Sequence, residues 1–130
     1  MHPRPTGFTL IELLIVVVII GILATLAVPK FANSKEKAYL ATMRSDLRNV
    51  AVAEEAYFTD EITYYDGVVP GPGLSYSGPS AGVSITLQDV SLGGWAAKAT
   101  HVGTPKTCAI FLGIAPPLAP AVESGMVLCD

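Results

Sequence analysis

Basic residues are scarce in this 130-residue chain: eight Lys and Arg stand against eleven Asp and Glu, for a formal net charge of −3. Without a Lys/Arg cluster, the counter-ion release that drives phosphate binding has no source, and nucleic-acid binding by the bulk of the chain is not indicated. Cysteine is nearly absent. The two present, Cys108 and Cys129, form no CxxC pair, and with His101 they do not make a four-ligand zinc spacing. No metal or other cofactor is therefore expected. As a disulfide, the two cysteines close a loop of about twenty residues and place that part of the chain in an oxidising compartment; the alternative is two buried free thiols. Catalytic constellations are missing as well. The Ser and Asp residues carry no nucleophile elbow, and His101 has no matched nucleophile or acid. The stretch "GPGLSYSG" has the wrong spacing for a dinucleotide loop, and Pro72 interrupts it. These absences lead to the expectation that the protein is not an enzyme.

What the chain has in excess is apolar sequence, concentrated at one end. A mean hydropathy of +0.50 and a hydrophobic content of 51% are inflated by residues 8–28, where the only polar side chains are Thr9, Glu12 and Thr25. As a helix rising about 1.5 Å per residue this block covers roughly 32 Å, against a hydrocarbon core of about 30 Å. Pro3 and Pro5 precede it and resist helix formation, so the helix is expected to begin just after Gly7. A secretory signal peptide cut after Thr25-Leu26-Ala27 would leave a secreted globular domain beginning at Val28. A plain membrane anchor is a second reading. Neither accounts for Glu12, because an ionised side chain at the centre of such a helix costs about 2.5–3.5 kcal/mol, and less near an interface. A carboxylate kept there calls for a partner. Arg4 lies before the segment while Lys30, Lys35, Lys37 and Arg44 follow it, so charge bias does not place the N-terminus inside.

The order of residues from Thr6 to Phe31, "G-FTLIE" followed by "LLIVVVIIGILATLAVPKF", resembles the class III signal of type IV pilins and of the related type II secretion pseudopilins. The resemblance implies that a prepilin peptidase cleaves between Gly7 and Phe8 and then N-methylates Phe8. It also implies a partner for Glu12, the charged α-amine of Phe8 on a neighbouring subunit. Such an amine, with a pKa of about 7.7–8.0, is a cation, and in an apolar filament core either charge alone would be costly. Glu12 would then set register. Gly21 and Pro29 are implied helix breaks, between which the helix unwinds during filament packing; ordinary tolerance of Gly and Pro in membrane helices is the alternative. The other implied partners are further pilin subunits in a homopolymer and an inner-membrane assembly platform with its ATPase. The implied route runs from a precursor in the inner membrane, head on the outer side, to an extracellular pilus filament used for adhesion, twitching motility, DNA uptake or related tasks. Major pseudopilins often carry an Asp- and Gly-rich calcium loop near the C-terminus. No such loop is present here, which favours pilin over pseudopilin.

Helical spacing continues beyond Pro29. Leu40, Met43, Leu47, Val50, Ala51, Tyr57 and Phe58 line one face, with Lys35, Glu36, Lys37, Arg44, Asp46, Arg48 and Glu55 on a mixed polar face. The helix is expected to end near 59–61. Residues 67–82, rich in Gly, Pro and Ser, read as a loop. Four stretches then read as strands: "VSITLQDV", "GWAAKATHV", "TCAIFLGIA" and "GMVLC". Val83, Ile85 and Leu87 share one face of the first, and Trp95, Ala97 and Ala99 one face of the second, so Trp95 is expected in the core. "GIAPPLAPAVESG" reads as a loop enclosed by the cysteine pair. The expected fold is α+β: a long N-terminal helix, half membrane or filament core and half amphipathic, packed on a small antiparallel sheet. The divisions are a leader at 1–7, a transmembrane or filament-core helix at 8–28, an amphipathic half at 29–60, and a loop and β head with a C-terminal disulfide region at 61–130.

Overall fold

A computed structural model describes residues 7–130; leader residues 1–6, with Pro3, Arg4 and Pro5, lie outside the described residues. The fold is α+β. One helix, α1 (Leu10–Glu61), is followed by four strands, β1 (Val83–Ser91), β2 (Gly94–His101), β3 (Thr104–Gly113) and β4 (Leu128–Cys129). The chain divides into two compact units, Met1–Lys35 and Glu36–Asp130.

In the first unit α1 begins at Leu10 rather than directly after Gly7. The reason is local. Thr9 and Glu12 stand in S/T-x-x-E spacing, and they form a reciprocal cap. The Glu12 N–H donates to the Thr9 hydroxyl at 3.3 Å, while Glu12 Oε2 accepts from the Thr9 N–H and hydroxyl at 2.8 Å each. In the single subunit α1 runs through both Gly21 and Pro29; the unwinding expected between them belongs to filament packing. A single glycine costs a helix only about 1 kcal/mol relative to alanine, and a proline removes one N–H while its neighbours keep theirs. Around Pro29 the Thr25 hydroxyl donates to the Ile22 carbonyl at 2.7 Å and the Ser34 hydroxyl to the Lys30 carbonyl at 3.0 Å.

In the second unit the last part of α1 lies on an antiparallel meander whose strands neighbour one another in chain order. The β1–β2 and β2–β3 connections are tight: Ser91 pairs with Gly94 and His101 with Thr104. One register row, Ile85–Ala99–Cys108–Cys129, crosses all four strands. Alternation then sorts the two sheet faces. Val83, Ile85, Trp95, Ala97, Ala99, Cys108 and Ile110 join Met43, Leu47, Val50 and Ala53 of α1 in one core, with Val69 and Leu74 from the helix-to-sheet connection. Alanines in the middle strand leave room for the helix to approach. At the helix end Ile62 takes a left-handed backbone (φ 58°), and its N–H still reaches the Phe58 carbonyl at 2.9 Å.

Two expectations are corrected. The fourth strand is only two residues long, because the chain after β3 is used differently. It crosses the far face of the sheet, where Ala115, Ala121 and Leu118 cover Ala96, Ala109 and Phe111 in a second core. A Gly125 N–H bond to the Phe111 carbonyl at 2.8 Å ties this segment down. The stretch is the expected loop, packed as a layer on the sheet. Asp46, expected on the mixed polar face, is only 4% exposed, and Glu54, on neither expected face, is fully buried.

Candidate functional site

The first unit presents an apolar surface without a covering. From Leu10 to Phe31 the large side chains are all exposed, Leu10 at 88% and Phe31 at 69%, and the helix is long and apolar enough to cross a membrane. Each side chain of this size left in water forfeits about 1.5–3 kcal/mol of transfer free energy. A surface of this extent requires lipid or other protein against it.

Glu12 is the only acidic residue in this surface, and α1 places it in the first helical turn. Both Thr9 donors converge on Oε2, so the carboxylate is oriented by its own turn and spends only one oxygen there. A carboxylate in this position also complements the positive end of the helix dipole. The cap joins Thr9 to Glu12, Gly7 and Phe8 precede it outside the helix, and Phe8 is 74% exposed. Gly21 and Pro29 lie further along the same helix and do not belong to this grouping. The capping role of Thr9 is readable from its three-residue spacing to Glu12.

In the second unit Cys108 and Cys129 form a disulfide, and the Arg44 Nε–H donates to Cys129 Sγ at 3.2 Å. His101 is structural: it stacks on Tyr39 with ring centroids 4.1 Å apart, and its Nδ1 accepts from the Gly103 N–H at 2.9 Å. Trp95 is fully buried. Tyr57, Tyr64 and Tyr65 pack against the main core, as helix-to-head packing requires. The two buried acids of α1 are anchors for the connection. Asp46 accepts from the Ser80 N–H at 2.9 Å and the Ser80 hydroxyl at 3.0 Å. Burial and the Asp46 charge push the neighbouring Tyr76 hydroxyl up to about 12. Glu54 Oε2 accepts from the Tyr65 N–H at 2.9 Å, and burial pushes this carboxyl up to about 7. No pattern of spacing announced either acid; a helix carboxylate becomes buried only when a connecting loop folds back over it. Among the described residues no three His, Cys, Asp or Glu side chains gather in a way that would hold a metal.

Residues 3–28 match the family described as the prokaryotic N-terminal methylation motif. The chain is similar to the type IV major pilin protein PilA of Myxococcus xanthus, 38% identical over 80 residues, which is 58% of this chain and 36% of that protein. It is also similar to the type II secretion system core protein G of Pseudomonas aeruginosa, 41% identical over 61 residues (47% of this chain, 43% of that protein). The core protein G of Klebsiella pneumoniae is 43% identical over 61 residues, covering 47% of this chain and 44% of its own length. The matched part of the chain thus spans 36–44% of the length of these curated relatives.

Proposed function

We propose, from the N-terminal methylation motif and the similarity to type IV pilins and type II secretion pseudopilins, that the chain is the structural subunit of a type IV pilus. Leader removal between Gly7 and Phe8 and N-methylation of Phe8 by a prepilin peptidase prepare it for polymerisation through α1. The observation that carries this reading is the exposed apolar half of α1 with one oriented carboxylate at its start. Such a surface is covered by lipid while the subunit waits in the inner membrane, and by the same helix of other subunits in the filament. The exchange keeps apolar area out of water throughout, so direction must come from polar contacts and from the assembly platform and its ATPase. Glu12 supplies the polar contact. With Oε2 held by Thr9, Oε1 is the acceptor for the Phe8 amine of the adjoining subunit, a pairing that penalises every register in which the two charges miss. Because donor and acceptor lie on different parts of the subunit, the contact is heterologous and propagates a helical filament. The subunit has no catalytic role in this reading; adhesion, twitching motility or DNA uptake would be functions of the polymer.

Intact mass and N-terminal sequencing of protein sheared from the cell surface test the proposal. A chain starting at methylated Phe8 is expected. A chain starting at Val28 would replace the pilus reading with a secreted domain. A second reading, a pseudopilin of a type II secretion filament, is favoured by the core protein G relatives. Stabilisation of the head by calcium, lost on chelation, would support it over the pilus.

A further inference from the structure

The connection between α1 and β1, residues 62–82, is fastened to the helix by two carboxylates, and the two fasteners differ in kind. Asp46 spends both oxygens on Ser80 at the far end of the connection. Glu54, at the near end, has one bond only: Oε2 accepts from the Tyr65 N–H, while Oε1 is buried without a partner. The side chain is fully buried. No cation offsets it. On the helix its charged neighbour is Glu55, whose Oε1 accepts from the Tyr64 hydroxyl at 3.2 Å. From the connection it is faced by Tyr65, which packs edge-on against Tyr57 at 5.4 Å, and 6.5 Å beyond the Tyr64 ring stands Trp95 of β2, whose indole N–H is also buried without a partner. The one ion pair among the described residues, Lys106 with Glu36, lies elsewhere.

An ionised Glu54 is therefore an anion without a counter-ion, in an apolar setting, with a second carboxylate next to it in sequence. A carboxyl group so placed has two ways to lower its free energy: keep a proton, or gain water by opening its cover. The cover is the first part of the connection. We propose that Glu54 is a proton-operated latch: with its proton it seats residues 62–68 on α1, and on losing it the carboxylate draws in water and that segment lifts. The exposed side chains that move with it are Ile62, Asp66 and Val68, so the latch changes the surface the head offers at the end of the helix.

The sign follows from linkage. Burial, the largest cause, pushes Glu54 up from 4.5 to about 7; the Tyr65 bond opposes this and the Glu55 charge adds to it. The seated state therefore holds the proton more tightly than the lifted one. Seating is strongest below about pH 4.5, weakens as pH rises towards 7, and levels off above that.

Hydrogen exchange of the full chain in detergent micelles, resolved to single amides and corrected for intrinsic rates, tests the latch between pH 5 and 8. The Tyr65 amide is expected to lose protection by roughly one to two orders of magnitude from pH 5 to 7 and to change little above. The Ser80 amide, held by Asp46, should stay flat. Glu54→Gln keeps a carbonyl for the Tyr65 N–H but cannot ionise, so its Tyr65 protection should be high and independent of pH. A flat wild-type profile, a decline at Ser80 in step with Tyr65, or the same decline in Glu54→Gln would each overturn the proposal. Should that variant fail to fold, the carboxyl carbon shift of Glu54 in the unaltered chain decides: titration near 4.5 sinks the latch, titration near 7 together with the Tyr65 profile supports it.

Discussion

Replacing both cysteines by alanine perturbs the head at one end of the register row that crosses the sheet. Cys108 is fully buried in the core under α1, and its partner belongs to a strand with only two ladder pairs, Cys108–Cys129 and Ala109–Leu128. The bridge spans 21 positions, and closing a loop of that length removes about 11 cal/mol/K from the unfolded chain, or about 3 kcal/mol at 25 °C. Loss of the buried sulfur from Cys108 adds a small cavity term. The double variant Cys108→Ala/Cys129→Ala should therefore lose about 3–4 kcal/mol. That is a large part of the 5–15 kcal/mol a domain commonly has. Equilibrium urea unfolding of the full chain in micelles reads this directly, because Trp95 is the single tryptophan and is fully buried. A loss below about 1 kcal/mol would refute the reasoning. It would mean that the layer on the far face, through Ala115, Leu118 and Ala121, holds the C-terminal segment without the bridge.

Glu12→Val should leave the subunit membrane-inserted and cleaved, while filament yield seen by electron microscopy falls; normal filaments from this variant as sole subunit would remove the Glu12–amine account. Thr9→Val removes the cap at a cost of about 1 kcal/mol, so amides of the first turn should exchange about five- to tenfold faster, and unchanged exchange would show that the cap is not what starts the helix. Leu47→Ala truncates a fully buried side chain between α1 and the sheet and should cost about 2–5 kcal/mol in the same urea assay. Breaking the half-exposed Lys106–Glu36 pair by Lys106→Met should change stability by less than about 1 kcal/mol, since solvent screens it.

Period and punctuation made much of this fold readable in advance. Val83 and Ile85, and then Trp95, Ala97 and Ala99, alternate because a strand buries every second residue, and the structure puts these five in one core. The apolar half of α1 was equally plain, since a run of such length has few other uses. The misses share a cause. Asp46 and Glu54 are residue types that local pattern assigns to solvent, and they are buried only because the connection returns to the helix, 11 residues later for Glu54 and 34 for Asp46. The far-face layer was missed for the same reason: Ala115 and Ala121 are small, irregularly spaced and flanked by prolines, so no period marks them. At the helix start the Thr9–Glu12 cap was legible in the three-residue spacing, and it engages Oε2 alone.

The order of the strands carries a consequence for how the head comes to be. A meander with neighbours in chain order and tight hairpins forms most of its pairings between residues close in sequence, and such low contact order favours rapid folding. The three long strands can therefore assemble by successive hairpin closure. The two-residue fourth strand contributes little to that nucleus. Its register row is already completed by Ile85, Ala99 and Cys108 before Cys129 arrives, so the oxidation step meets a prepared thiol on a formed sheet. A bridge that forms late slows unfolding more than it speeds folding.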